Sequence, residues 1–387
     1  MGGLRVLHAY KVCHTEIKGG IPEAIRILTT SHVRGFVSRV LASRVRGFGR
    51  RFYSGATQVR LAGSFGTVGS MPIAPFYPFE LARASQRADV VALHSPFPLN
   101  DLIARIGIAK NVAVVLHWHA ELQPTSWISR AAQLLVKSTL IRADRIVVSS
   151  ESLLQGSKAL RAYLHKCTVI PFGIDTAFWS SLDDEAELKV KELASSHPRL
   201  VVSVGRLVSY KGFDVLIEAL KGLDATAMIV GEGRQANRLR RMIARRGLSD
   251  RVFCIGNVSR EELRVLLHAA RVFVLPSTTI QETFGIAQLE AMAAGLPVVN
   301  TLLPTGVPTV ARDGIEALTV PPRDPIRLAQ AIQQLLESPQ LAGRLGTAGN
   351  ARAVAQFDQR LFIDRTHALY ADCIEKRRSA GRLAVSA

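Results

Sequence analysis

The sequence predicts two doubly wound α/β domains in tandem, joined near residues 171–180. Three observations carry this. Short apolar runs alternate with helix-period patterns along almost all of the 387 residues, which is how parallel sheets covered on both faces read. The runs form two series, separated by a charged stretch at 183–197. Several runs of the second series end in glycine, where parallel strands hand over to ligand-binding loops. The length suits two domains, each able to bury a core.

In the first series, strands are predicted at 4–8, 37–41, 59–61, 90–94, 113–116, 145–149 and 168–170. In the second they fall at 200–204, 226–230, 252–255, 272–275, 298–300 and 317–320. Helical patterns at 213–223, 234–246, 261–269 and 327–336 lie between them. Pro171 and Gly173 punctuate the junction. The last segment, 361–378, is helical in pattern and runs into a basic, Ala/Ser-rich tail. The expected limits are 1–175 for the first domain, 176–357 for the second and 358–387 for the terminal helix. Two such domains facing each other make a cleft.

The composition, 48 % hydrophobic and 21 % charged, is that of a soluble globular protein. No uncharged apolar run reaches 18 residues, so no transmembrane helix is predicted. A strand pattern begins at Leu4, so no leader is expected before it. Cys13, Cys167, Cys254 and Cys373 show no metal-ligand spacing and read as reduced thiols of a cytosolic protein. The net charge of +18 is lopsided, with +13 of it before residue 181. No acidic residue lies between Glu23 and Glu80, whereas Arg44, Arg46, Arg50 and Arg51 do, among Phe48, Phe52 and Tyr53. Basic and aromatic residues on one loop fit an anionic membrane surface. A nucleic-acid face and a merely solvated loop are the other readings. The membrane is the reading adopted, with no nucleic-acid partner.

The most informative stretch is 276–297. Glu282 and Glu290 stand eight residues apart, with a helix start at Thr283, Phe284, Gly285 and Ile286 between them. The Ala/Leu/Met run to Gly295 and Pro297 gives helix interior and stop. A helix N-terminus binds anions and carboxylates accept from hydroxyls. Eight helical residues span roughly 12 Å. That reach suits a nucleotide-sugar.

Other strand ends add to this. Gly205-Arg206-Leu207 follows the strand at 200–204, and Lys211-Gly212 comes next. Arg206 can fork onto phosphate oxygens and Lys211 can act as a point charge, so both can neutralise a leaving diphosphate. Gly231-Glu232-Gly233 ends the next strand, and Glu232 could instead complement the following helix. Gly256-Asn257-Val258 precedes a Ser259-to-Glu262 capping box and could hold a base through its backbone. Gly19-Gly20 opens a helix with Pro22 in its first turn and allows close approach of a diphosphate, although Gly-Gly also makes a plain turn. It is not a G-x-G-x-x-G fingerprint. His117-Trp118-His119 ends the strand at 113–116. It could be a metal pair, but no third ligand is evident. His119 is better read as a hydrogen-bonding group for a donor sugar or acceptor, or as an ordinary buried histidine. With no Asp-x-Asp triplet, no metal is required.

These motifs together resemble the retaining glycosyltransferases of the GT4 class, which have the GT-B fold. The matches are Glu282 and Glu290, Gly205-Arg206-Leu207 with Lys211-Gly212, Val230-Gly231-Glu232-Gly233, Gly19-Gly20 and Ile170-Pro171-Phe172-Gly173-Ile174-Asp175. Within that class the chain is similar to bacterial exopolysaccharide α-mannosyltransferases. The resemblance implies GDP-mannose as donor, no cofactor, a polyprenyl-diphosphate-linked oligosaccharide as acceptor, and a cytoplasmic, peripheral place on the inner face of the cytoplasmic membrane. It implies that Glu282 binds sugar hydroxyls, with backbone N–H groups offered from Thr283 to Ile286, and that Glu290 binds the ribose. Arg206 and Lys211 would stabilise the diphosphate, Gly20 would let it approach, and His119 would touch the sugar. The terminal helix would cross back onto the first domain. Ala120 and Glu121 depart from the family's His-Ser-Asp segment. Alanine at Lys211 or Glu282 is expected to abolish transfer and spare the fold. Another UDP- or GDP-sugar, a soluble acceptor, or a non-enzymatic basic binding module are the alternatives.

Overall fold

The computed structural model describes residues 3–17, 19–31, 33–69, 71–104, 107–120 and 127–385. The chain separates into two compact units. One is Met1–Phe172 with Arg360–Ala387, the other Gly173–Gln359.

The first unit is built on strands β1 (Leu4–Ala9), β2 (Phe36–Ser43), β3 (Arg50–Ser54), β4 (Thr57–Ala62), β7 (Val90–Ser95), β8 (Ala113–Trp118), β9 (Arg145–Val148) and β10 (Cys167–Val169). A small hairpin, β5 (Thr67–Val68) and β6 (Met71–Pro72), stands apart. The main sheet runs β10-β9-β8-β7-β1-β2-β4-β3, parallel except for β3 against β4. β3 and the hairpin are absent from the sequence expectation. Arg50–Ser54 is too polar to register as a strand, yet it pairs because the tight Ser54–Thr57 turn folds it back on β4. As an edge strand with no buried residue it can stay polar and charged.

Strand side chains alternate between faces, and the sequence uses this consistently. Leu7 and Ala9, Val91 and Leu93, and Val114, Leu116 and Trp118 enter one core. His8, His94 and His117 therefore project to the opposite face. The helix Gln359–Val385 packs within this unit: Tyr370 Oη lies 2.7 Å from His117 Nε2, and Arg377 donates to Asp144 at 2.6 and 3.0 Å.

The second unit has β11 (Leu200–Val204), β12 (Thr226–Val230), β13 (Val252–Gly256), β14 (Val272–Val274), β15 (Val298–Thr301) and β16 (Ala317–Val320). All are parallel, in the order β13-β12-β11-β14-β15-β16. The charged stretch after the junction is the helix Asp184–Ser196, N-capped by Asp183, whose carboxylate accepts from the Ala186 N–H at 2.9 Å. Ser259 and Glu262 form the expected capping box. Two doubly wound units with parallel sheets are the fold class the sequence predicts.

Candidate functional site

Strand order in the second unit reverses between β11 and β14. Ligand-binding groups of doubly wound sheets gather at the carboxyl ends of the strands beside such a point. Both loops here carry charge. After β11 a single 3-10 turn, Ser209–Lys211, brings up Lys211. After β14 the chain runs irregularly through Glu282 to the helix Ile286–Ala293. Lys211 Nζ and Glu282 Oε2 lie 2.5 Å apart, with side chains 12 % and 9 % exposed. Ser277 Oγ donates to the same carboxylate oxygen at 2.9 Å. Burial pushes the Lys211 ammonium down, but the charge and hydrogen bond of Glu282 outweigh it and the net shift is upward. Lys211 is therefore cationic at neutral pH. An ammonium has three donors, so the bond to Glu282 leaves capacity for phosphate oxygens.

The sequence assigns Lys211 and Glu282 separate tasks; the structure also makes them partners. Removing either would leave a largely buried charge without its counterion, so alanine there is expected to cost stability, where the sequence reading has the fold spared.

Close backbone approach holds the two loops together. Gly212 has φ 69°, and a Cβ on it would stand 1.9 Å from the Pro276 carbonyl oxygen. The Thr278 N–H donates to the Tyr210 carbonyl at 2.8 Å, and Thr301 Oγ1 to the Ser277 carbonyl at 2.6 Å. Gly285 caps the helix at φ 77°, where a Cβ would meet Leu275 Cδ2 at 2.6 Å. Beneath it the buried Gln288 amide donates to the Phe284 carbonyl at 2.8 Å and accepts from Asn300 at 3.2 Å. Phe284 is buried, edge-on to Phe357. The loop before the helix is thus fixed by its own core. Thr283 and Ile286 flank that cap, and first-turn N–H groups have no intrahelical acceptor.

The helix covers only Ile286 onward, and Gly285 is left-handed, so the 12 Å rise expected from Glu282 to Glu290 does not apply. Glu290 lies half-buried on the helix itself. Arg206 is exposed and donates to Tyr210 Oη at 3.2 Å; the Tyr210 ring lies 5.8 Å from Lys211 Nζ. Tyr210, Ser277 and Gln288 went unread in the sequence. Only Ser277, beside the Glu282 motif, carried a positional hint. The neighbouring loops are stitched on by main-chain bonds: Gly205 N to Val230 O at 3.0 Å, Leu207 N to Glu232 O at 2.8 Å, and Gly231 N to Gly256 O at 2.7 Å. Glu232 is exposed and Val258 half-buried along this rim.

In the first unit the order reverses between β1 and β7, and there three imidazoles meet. His8 Nδ1 is 3.2 Å from His94 Nε2, and His94 Nδ1 is 2.9 Å from His119 Nε2. Burial holds His8, His94 and His117 well below the usual histidine range, and His119 down to about 3. His8 and His94 were missed. The signal was a histidine at the end of each of three apolar strands. Among the described residues no group of three or more His, Cys, Asp or Glu could hold a metal ion. Gly20 is the first residue of the helix Gly20–Thr30. Glu121 lies outside the described residues.

Residues 24–178 match the family described as Glycosyltransferase Family 4, and 184–352 match Glycosyl transferases group 1. A D-rhamnosyltransferase of Pseudomonas aeruginosa is 30 % identical over 357 residues, 90 % of this chain and 91 % of that protein. The chain belongs to the GT4 glycosyltransferases. The O-antigen chain mannosyltransferase C of Escherichia coli is 25 % identical to this GT4 enzyme over 97 % of this chain and all of that one. The sucrose-phosphate synthase structure from Thermosynechococcus elongatus superimposes with a TM-score of 0.79 at 20 % identity, over 96 % of this chain and 100 % of that one. The GT4 enzyme thus has the GT-B fold.

The basic segment of the GT4 enzyme differs from the single loop expected. Arg50 and Arg51 lie in β3, and Arg44 pairs with Glu16 at 3.4 Å, leaving Arg46 between them. Bridge pairing of Gly47 with Ser64 sets this segment beside Phe65. Phe48, Phe65 and Phe79 are 93 %, 76 % and 78 % exposed. No helix of the described residues is long and apolar enough to cross a membrane.

Proposed function

We propose that this GT4 enzyme transfers mannose, with retention, from GDP-mannose to a polyprenyl-diphosphate-linked oligosaccharide. The observation that carries the reading is the Lys211–Glu282–Ser277 cluster at the switch point of the second unit, beside the capped start of Ile286–Ala293. A cation next to a helix N-terminus suits a diphosphate. Lys211 and Arg206 neutralise the departing diphosphate together with N–H groups of Thr283 to Ile286, so the reaction needs no metal or cofactor. Glu282 accepts from sugar hydroxyls and Glu290 from the ribose. Glu232 and Val258 shape the nucleotide's surroundings, Gly20 gives the diphosphate close backbone, and His119 hydrogen-bonds the sugar. The acceptor oxygen attacks the anomeric carbon from the face the diphosphate leaves. The C–O bond to the phosphate breaks, and the hydroxyl proton passes to the leaving oxygen. No enzymatic nucleophile takes part.

In the same reading the enzyme sits peripherally on the inner face of the cytoplasmic membrane. Arg44, Arg46, Arg50 and Arg51 meet anionic headgroups, while Phe48 and Phe65 enter the interface. Purified enzyme, a panel of labelled nucleotide-sugars and a lipid-extract acceptor test the reaction. Labelled lipid from GDP-mannose alone is expected; absence of product from every donor overturns the reading. The named D-rhamnosyltransferase relative supports a second one, an activated D-rhamnose donor, which the same panel separates. Sedimentation with anionic vesicles tests the membrane surface. Binding lost in high salt is expected, and equal binding to neutral vesicles refutes it.

A further inference from the structure

We propose that His8 and His94 are positioning residues that fix the tautomer of His119, so that it presents an N–H at Nδ1. The inference rests on the reading that His119 meets the transferred sugar, and it names what that residue offers. The three rings form one chain, His8 Nδ1 to His94 Nε2 and His94 Nδ1 to His119 Nε2. Burial keeps all three neutral. A neutral imidazole has one donor and one acceptor nitrogen. Each N···N contact needs one proton, so both contacts must point the same way. Three N–H groups serve two contacts, and the third stands at one end of the chain. It is either outward, on His119 Nδ1, or inward, on His8 Nε2.

The inward end decides this. Among the described residues His8 Nε2 is buried with no hydrogen-bond partner. The nearby Tyr370 hydroxyl is engaged by His117 Nε2 at 2.7 Å. A buried N–H without an acceptor is rarer than a bare acceptor. The chain is therefore polarised outward: His8 donates to His94, His94 donates to His119, and the remaining N–H belongs to His119, which is 5 % exposed whereas His8 is fully enclosed. A ligand group facing it must accept a hydrogen bond, as a hydroxyl oxygen does and an ammonium does not.

Long-range ¹⁵N–¹H correlation on histidine-labelled full-length enzyme reads the tautomer directly, with resonances assigned by single substitutions. The expected spectrum shows His119 protonated at Nδ1 and bare at Nε2. His8→Asp, whose carboxylate accepts from His94 Nε2, should reverse both contacts, move the His119 proton to Nε2 and lower kcat/KM about fivefold, the size of one neutral hydrogen bond. His8→Leu leaves the enclosed end without an acceptor and should keep the wild-type tautomer. Wild-type His119 protonated at Nε2 overturns the proposal, whatever the activity and whether or not either variant folds. A tautomer that reverses in His8→Asp with kcat/KM unchanged supports the relay and removes the sugar contact of His119 instead.

Discussion

Lys211 and Glu282 offer a test in which stability and activity separate. The perturbation is Lys211→Met, Glu282→Gln and the double variant. Both side chains are about nine-tenths buried and their charged atoms touch at 2.5 Å. Removing one partner of such a pair costs roughly 3 kcal/mol or more, most of it the desolvation of the charge left behind. Lys211→Met is the harsher single change, because only the neutral Ser277 hydroxyl, at 2.9 Å, would still meet the Glu282 carboxylate. The double variant buries no net charge and should recover most of the loss. Hydrogen exchange in β11 and β14 reads the opening of the second unit alone. A cost of 3 kcal/mol appears there as about 150-fold faster exchange. Sugar transfer should be lost in all three variants, including the stable double one. Strictly additive single-variant costs would show that the charges do not interact in solution, and would refute the argument. Normal transfer by the stable double variant would remove both residues from the catalytic assignment.

Three further outcomes are expected. Acid should open the first unit. His8, His94, His117 and His119 titrate well below their unfolded value of about 6.5 because they are buried, so their contribution is complete above that pH and is lost as pH falls toward the folded values, visible as faster exchange in β1, β7 and β8 below about pH 6. Asp101, whose carboxyl is pushed up to about 7 by burial despite a hydrogen bond from Thr139, should lose stability as pH rises from 4 through 7, and Asp101→Asn should flatten that slope by on the order of 3 kcal/mol in thermal melts. Gly212→Ala should destabilise the second unit by at least about 2 kcal/mol and abolish transfer, because its Cβ would stand 1.9 Å from a main-chain oxygen at positive φ; a soluble variant with unchanged melting and turnover would contradict this.

The alternation of apolar runs was enough to recover both parallel sheets, because strands buried on two faces leave a strong signal. β3 escaped because an edge strand may be polar: Arg50 and Arg51 look like loop residues until the turn folds them onto Leu61 and Arg60. The charged site was legible as separate motifs. Its pairing was not, since Lys211 and Glu282 lie on loops after different strands and only the strand order makes those loops neighbours. Tyr210, Gln288 and Asn300 stayed silent for a related reason. Each acts through a partner brought up by tertiary structure, and none has a spacing of its own.

The same topological rule accounts for both clusters. In each unit the sheet reverses order next to its first strand, at β1 and β7 and at β11 and β14. Each reversal gathers polar groups that periodicity alone would scatter. The second gathers opposite charges, whose mutual attraction offsets their burial and keeps a cation ready at neutral pH. The first gathers uncharged imidazoles, which avoid the cost of buried charge and hold one another through N···N hydrogen bonds. Substituting His94 should therefore disturb hydrogen-bond geometry at His119 without altering the salt dependence of the proposed diphosphate binding. Substituting Lys211 should change that salt dependence while leaving the tautomer of His119 as it is. A variant at either position that moved both readouts would show that the two clusters are not the independent devices their chemistry indicates.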